Sequence, residues 1–358
     1  MTQSTESKIL DAKQIDKLFT LAFKKRFAIP AVNVTSSDTI NAALAAAKKA
    51  NSPIIIQLSN SGAAFYAGQT LINDDYQASI NGAVAAAKHI HLLTVAYQIP
   101  IIIHTDHATK KMLPWIDGML AIGEGYFKIN QHPLFSSHML DLSQESLIDN
   151  INICKKYLKQ LTAMNMFLEI EIGVTGGEED GVKGKVNSKL YTTPEDIAYA
   201  YGELKKISSN FTIAASFGNV HGVYRPGKVK LKPIILRDSQ DYISVKFKVP
   251  QKTVRFVFHG GSGSSPAKIK EAINYGVVKF NIDTDAQWAF WEGVKEYEQE
   301  KHNYLQQQIG NPQGKDKANK KFYDPRAWLF KAEVSMEKEI LKYYKRLNSL
   351  NVNKFLDF

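Results

Sequence analysis

Three histidines stand beside a glycine or an aspartate just past an apolar run: His107 in "HTDHATK", His221 in "SFGNVHG" and His259 in "FVFHGGSGS". A single histidine in such a place is ordinarily a satisfied polar residue. Three of them, from three separate strand ends, would make a ligand set with a fourth position open, which is what a catalytic zinc site requires. Asp106 directly precedes His107, and His104 lies two residues before that, placed to orient Asp106 or a ligand from behind. His89, His91, His132, His138 and His302 read as structural or exposed. The glycine-rich stretch "HGGSGSSPAKIKEAI" and the polar stretch "NIDTDAQ" each open a helix, so backbone amides and a helix N-terminus are available to an anion. A long loop over 173–193, "GVTGGEEDGVKGKVNSKLYTT", carries Glu178, Glu179 and Asp180 between glycines that permit hinging. The plainer readings are a flexible linker for the glycines and a solvated turn for the acids. Taken together, one Lewis acid, an anion cradle, an aspartate beside a metal ligand and a glutamate on a lid suit a phosphorylated sugar. One carboxylate would move a carbon-bound proton and the other an oxygen-bound proton, which is metal-dependent aldol chemistry.

These residues need a scaffold that gathers strand ends. Short β-branched runs alternate with longer helical patterns, the signature of βα units. Eight candidate strands cover 28–34, 53–59, 99–105, 133–140, 166–172, 211–216, 254–260 and 277–283. Eight alternating units predict an α/β fold, a (β/α)8 TIM barrel, with its site at the C-terminal strand ends; a doubly wound sheet is the alternative. The fourth strand is the weakest, because "SSH" interrupts it. The stretch "TTPEDIAYAY" predicts a helix with Thr193 as N-cap and Pro194 at its first position. An extra helix, "AKQIDKLFTLAFKKRF", precedes the barrel, and a helical extension closes the chain. The expected organisation is a single domain, 1–358, with the barrel at about 28–306 and the C-terminal helical extension at about 307–358. Polar residues gather at the strand ends: Asn33, Ser59, Asp106, His107, Asp141, Glu171, His259, Asn281 and Asp283. Alternation puts Gln57 with Ser59, His104 with Asp106, Glu169 with Glu171, and Lys279 with Asn281 and Asp283 on single faces. If those faces point inward the upper lumen is polar, and a salt bridge from Lys279 to Glu169 or Glu171 is expected there.

Composition narrows the class. The chain has 358 residues, 44% of them hydrophobic, enough for a sizeable core. No secretory signal is expected from "MTQSTESKIL", and no run approaches a membrane span. One cysteine, Cys154, excludes an intramolecular disulfide and a cysteine-rich zinc site. These features point to the cytoplasm. The net charge of +10 is spread over short lysine clusters not interleaved with aromatics, which suits a solvated surface or steering of an anionic substrate better than nucleic acid.

Seven motifs, "HTDHATKKMLPWIDG", "PLFSSHMLDLSQESL", "LEIEIGVTGGEEDG", "AASFGNVHGVYRPG", "FVFHGGSGS", "VVKFNIDTDAQWA" and "NKKFYDPRAWL", spread over nearly the whole chain, resemble class II fructose-bisphosphate aldolase of the larger subgroup. The resemblance implies reversible cleavage of fructose 1,6-bisphosphate to dihydroxyacetone phosphate and glyceraldehyde 3-phosphate in glycolysis and gluconeogenesis. It implies that His107, His221 and His259 bind the catalytic zinc, and that Asp141 and Glu171 serve a second metal position. Asp106 would handle the aldehyde oxygen's proton, and Glu179, with Glu178 as its neighbouring alternative, the C3 proton. Gly222, Gly260, Gly261, Ser262, Asn281, Ile282, Asp283 and Thr284 would hold substrate, largely one phosphate, with Asn33 and Ser59 also facing it. Arg326 of "YDPR" would reach the other subunit's site for the second phosphate, so a homodimer is implied. A second divalent ion and a monovalent cation are further candidates; neither nucleic acid nor membrane is. Rival readings are an aldolase for tagatose 1,6-bisphosphate, a metal-dependent phosphoesterase and an RNA-binding protein on an inactive barrel.

Overall fold

The computed structural model describes residues 8–173, 191–220 and 230–358 in full, and the backbone alone of 176–179, 182–184 and 221. The strands in chain order are β1 (Ile29–Asn33), β2 (Ile54–Leu58), β3 (Ile101–Ala108), β4 (Ser137–Leu140), β5 (Phe167–Ile172), β6 (Gly176–Glu179), β7 (Val182–Gly184), β8 (Phe211–Ala215), β9 (Val220–His221), β10 (Phe256–Phe258), β11 (Val277–Ile282), β12 (Ile309–Asn311) and β13 (Gly314–Ala318). β1, β2, β3, β4, β5, β8, β10 and β11 run parallel and close into a barrel, β1 pairing with β11. All eight expected strands are present. β4, the weakest from its sequence, survives as four fully buried residues, because Ser137 and His138 find partners on β3.

A barrel strand is buried on both faces, which explains continuous apolar runs such as Ile54, Ile55 and Ile56, or Ile101, Ile102 and Ile103. The outer residues of these runs pack under the helices in one large cluster. The inner ones, Ile55, Ile102 and Phe167, meet Ile15, Leu18 and Phe19 of the Ala12–Lys25 helix in a second cluster. That helix therefore plugs the N-terminal end of the lumen. It starts on a capping box, Asp11 with Gln14. The Pro194–Lys205 helix starts as its sequence predicts, Thr193 accepting a hydrogen bond from the Asp196 N–H at 3.2 Å.

The C-terminal extension forms the β12–β13 hairpin, a short turn of helix (Lys320–Tyr323) and the Pro325–Arg346 helix. The last helix lies against the Thr284–Leu305 and Ser37–Ala50 helices. Gly293 makes the first of these crossings possible, since a Cβ there would stand 2.6 Å from the Ala332 Cα.

The 173–193 stretch departs from the expectation of a loop without regular structure. β6 pairs antiparallel with β7 and parallel with β9, so Gly177 lies opposite His221. The backbone bearing Glu178 and Glu179 is thereby tied to the strand bearing His221. Residues 174–175, 180–181, 185–190 and 222–229 lie outside the described residues. Among the described residues no helix is long and apolar enough to cross a membrane.

Candidate active site

β3 runs three residues past its expected end, so Asp106 and His107 belong to the strand itself. A regular strand would send these neighbours to opposite faces. The β3–β4 register shifts between Thr105 and Ala108: Thr105 pairs with His138 but Ala108 with Leu140, three steps against two. This is a bulge, and it re-aims a side chain. Asp106 and His107 both turn to the barrel mouth and are buried.

Asp106 is gripped from two strands. Its Oδ2 accepts from Asn33 Nδ2 at 2.9 Å and from Gln57 Nε2 at 3.1 Å, and Gln57 also donates to Asn33 Oδ1. Its Oδ1 makes no hydrogen bond among the described residues and faces His107 Nε2 at 4.0 Å. His107 Nδ1 stands 3.1 Å from Asp141 and 3.4 Å from Glu171. The His107 and His259 rings meet edge to face, their centroids 4.7 Å apart. His259 Nδ1 approaches Glu171 at 3.5 Å, while its Nε2 meets Glu169 at 2.8 Å. Behind it Lys279 donates to both Glu169 oxygens at 2.9 and 2.8 Å, so Glu169 is the partner in the expected interior ion pair. His104 bonds Ser137 at 2.7 Å and lies 3.7 Å from Glu169.

The electrostatics follow from this order. Burial alone would keep Glu169 protonated; Lys279, His104 and His259 outweigh it and hold the carboxyl well below its ordinary value. Burial also opposes charge on Asp106, and His107, Lys279 and His259 reverse that. Burial, and then Lys279, push His104 down to about 3, so it is a neutral hydrogen-bonding ring. The opposite holds for the two rings at the mouth. Against burial, Asp106, Asp141 and Glu171 raise His107 well above its ordinary value, and Glu169 and Glu171 raise His259 to about 9. The carboxylates thus demand positive charge between them, from protons or from a metal. Two overlapping sets present donor atoms within 4.8 Å of one another: Asp106, His107 and His259, and then His107, Asp141 and Glu171. Imidazole and carboxylate donors suit zinc and similar divalent ions.

Of the remaining sequence-derived residues, several follow the strand ends, Ile282 packs outward, Arg326 stands on the C-terminal extension, and others lie outside the described residues. Gly260 has φ 58°, and a Cβ on Gly261 would stand 2.2 Å from the Phe280 ring, so the turn after β10 requires glycine at both. Ser262 continues this turn. Asn281 is buried, and neither amide atom has a hydrogen-bond partner among the described residues, which leaves it free for a guest. Ile282 is an outward core residue. Asp283 precedes the Thr284–Leu305 helix and accepts from Gln287 at 2.6 Å. Ser59 caps the Asn60–Ala67 helix, accepting from the Gly62 N–H at 3.1 Å. Arg326 is far more open: its side chain is 90% exposed and paired with Asp324 at 2.7 Å. The His221 and Glu179 side chains, Glu178's as well, and all of Gly222 lie outside the described residues.

Gln57 and Ser143 were not among the candidates. Gln57 braces Asp106, and its place two residues before Ser59 on one strand face was the available signal. Ser143 donates its hydroxyl to Asp141 at 2.6 Å and its N–H at 3.2 Å. Only its two-residue spacing from an aspartate hinted at that turn.

A closed parallel barrel whose mouth holds converging imidazoles and carboxylates defines an enzyme scaffold built for metal-assisted chemistry. The chain belongs to the class II fructose-bisphosphate aldolase family: residues 13–352 match the family model described as "Fructose-bisphosphate aldolase class-II". This family is metal-dependent. The chain is 56% identical over 348 residues to fructose-bisphosphate aldolase of Campylobacter jejuni, covering 96% of this chain and 97% of that one. It is 53% identical over 347 residues to fructose-bisphosphate aldolase class 2 of Escherichia coli, with the same coverage. A crystal structure of the Campylobacter jejuni aldolase superposes with a TM-score of 0.89 at 54% identity, over 97% of both chains.

Proposed function

We propose that this aldolase reversibly cleaves fructose 1,6-bisphosphate to dihydroxyacetone phosphate and glyceraldehyde 3-phosphate, in glycolysis and gluconeogenesis, with zinc as its catalytic ion. The observation that carries the reading is the pair of overlapping donor sets sharing His107, in a chain more than half identical to named fructose-bisphosphate aldolases. His107, His259 and His221 would hold zinc, and Asp141 and Glu171 would serve a second divalent position. When bound, zinc supplies a Lewis acid for the ketose carbonyl. Asp106, braced by Asn33 and Gln57, would take the C4 hydroxyl proton in cleavage and return it to the aldehyde oxygen in condensation. Glu179 would exchange the proton at C3 of dihydroxyacetone phosphate. Asn33, Ser59, Gly222, Gly260, Gly261, Ser262, Asn281, Asp283 and Thr284 would seat substrate and its first phosphate, with Ile282 contributing its backbone alone because its side chain packs outward, and with a monovalent cation as a further candidate there.

Arg326 would serve the second phosphate in the partner's site of a homodimer. Its 90% exposure on the single chain supports that reading. So does Phe330, one turn further along the same helix and 64% exposed. A single buried thiol, Cys154, suits the cytoplasm.

The test is a coupled assay for triose phosphate from fructose 1,6-bisphosphate, run beside tagatose 1,6-bisphosphate. Chelation should abolish activity and zinc should restore it, and borohydride should trap no substrate on the protein. His107→Ala, His221→Ala and His259→Ala should each lose the metal by elemental analysis. Chelator-resistant turnover, or a reduced imine on a lysine, would remove the metal mechanism.

A further inference from the structure

The stretch over 306–326 has little apolar surface to bury, yet one buried side chain organises it. β12 and β13 are largely exposed. A two-stranded hairpin of this kind is marginal by itself. Asn319 supplies the restraint. It is 0% exposed, and its Nδ2 donates to the Gln307 carbonyl at 2.7 Å and the Gly310 carbonyl at 2.9 Å. Its Oδ1 accepts from Asn311 Nδ2 at 2.6 Å. Its backbone N–H reaches the Gln308 carbonyl at 2.9 Å, and its carbonyl accepts from the Phe322 N–H at 2.8 Å. One residue thus ties together the segment after the Thr284–Leu305 helix, the hairpin and the Lys320–Tyr323 turn.

A second anchor comes from that long helix. The Tyr297 hydroxyl donates to the Phe322 carbonyl at 2.7 Å, and the Tyr304 ring lies against Phe322 with centroids 4.2 Å apart. The Asp324 N–H then bonds the Lys320 carbonyl at 3.0 Å. The Asp324 carboxylate receives the Arg326 N–H, Nε and Nη2 at 3.0, 3.0 and 2.7 Å. An unbroken chain of bonds runs from Asn319 to the guanidinium. The same arm exposes Lys315, Lys317, Lys320 and Lys321, so it presents cations to solvent. Stability alone would be better served by an apolar hairpin face than by a buried amide, which is costly unless every bond is made. Directional bonds set an orientation.

We propose that Asn319 is a positioning residue for substrate recognition: it fixes the 306–326 arm so that Arg326 is offered at a set place to the phosphate remote from the metal. This rests on the reading of Arg326 given above. The experiment compares kcat/KM for fructose 1,6-bisphosphate with that for fructose 1-phosphate, which lacks the second phosphate. Wild type, Arg326→Ala, Asn319→Ala and Tyr297→Phe are measured, each with metal content and sedimentation. Asn319→Ala should lower the preference for the bisphosphate about 10–100-fold, mainly through KM, the scale on which a small misplacement of a binding group is felt. Tyr297→Phe should lower it by a smaller factor. For both variants, turnover of the monophosphate, metal content and subunit association should stay as in wild type, and Arg326→Ala should cost at least as much preference. If Asn319→Ala weakens both substrates alike, dissociates the subunits, or fails to fold while Tyr297→Phe keeps the full preference, the role is structural and the proposal fails. If Arg326→Ala lowers the preference but the other two variants do not, the reading of Arg326 stands and this proposal falls. If Arg326→Ala keeps the preference, that reading fails and the positioning role goes with it.

Discussion

At the scale of single residues, the proposed mechanism needs groups that hold still and one that arrives with the substrate. Asp106 is immobilised by Asn33 and Gln57, and His259 by Glu169 with Lys279 behind it. Glu179 instead belongs to a segment outside the barrel wall. Glu179→Gln keeps the size of the head and removes the proposed base, so on that reading kcat should fall roughly 10²–10⁴-fold while the metal stays bound. Exchange of the C3 proton of dihydroxyacetone phosphate in heavy water, followed by NMR without aldehyde, is the decisive measurement. Normal exchange in Glu179→Gln but not in Glu178→Gln would reassign the base to the neighbour. The Glu169–Lys279 pair carries a separate expectation for stability. Its carboxyl is depressed below an ordinary value of 4.5 in the folded chain, so the unfolded chain takes up the proton first. The stabilisation is complete above pH 4.5 and is lost as pH falls below it. Thermal melts of metal-free protein should therefore show a falling Tm below that pH. In Glu169→Gln, which strands Lys279 in the lumen at a cost of about 3–5 kcal/mol, that slope should be shallower from a lower start.

Among the elements, the Ala12–Lys25 helix is the one whose purpose depends entirely on the barrel. Its apolar face fills the lower lumen, with Phe19 edge-on to Phe167 of β5 at 5.8 Å between centroids. Directly above lie His104, Glu169 and Lys279, lining the same small cavity as Ile15 and Phe19. The plug thus keeps water away from the underside of the ion pair that orients His259. Phe19→Ala should cost about 3–5 kcal/mol in urea unfolding, the usual loss for a buried phenylalanine. Zinc affinity should also drop, because water entering below would loosen Glu169. An unaltered zinc affinity in a destabilised Phe19→Ala protein would show that the plug serves stability only.

The whole molecule, on the proposed reading, is complete only as a pair. Arg326→Ala and Glu179→Gln would each be nearly inactive alone. Mixed, unfolded and refolded together, they should form heterodimers in which one site has both an intact Glu179 and the partner's Arg326. Random pairing of equal amounts should restore about a quarter of the wild-type sites. No recovery on mixing, with heterodimers present by mass spectrometry, would place Arg326 in its own chain's site or in none.

Much of this was written in local patterns. The barrel was legible because eight apolar runs recur with helical patterns between them, and burial on both faces imposes that composition on each strand separately. Ser59, Asp106, Asp141 and Glu171 were legible as site candidates because polar residues at the ends of such runs have little other reason to be there. The partner of Lys279 was narrowed to two glutamates by alternation and settled as Glu169 only by the β5 and β11 positions around the barrel. The bulge that turns Asp106 and His107 to one side has no signature in "HTDHATK", because it is a mismatch between β3 and β4. The pairing of β6 with β9, which sets Gly177 of the strand bearing Glu179 opposite His221, joins residues about forty positions apart. The buried bonds of Asn319 and the grip of Gln57 on Asp106 were equally silent, since a hydrogen bond needs direction and distance. The sequence by itself determined which residue types reach the mouth of the barrel. Tertiary structure alone decided which way they face and what holds them there, because register, bulge and contact are set by neighbouring strands that are remote in the chain.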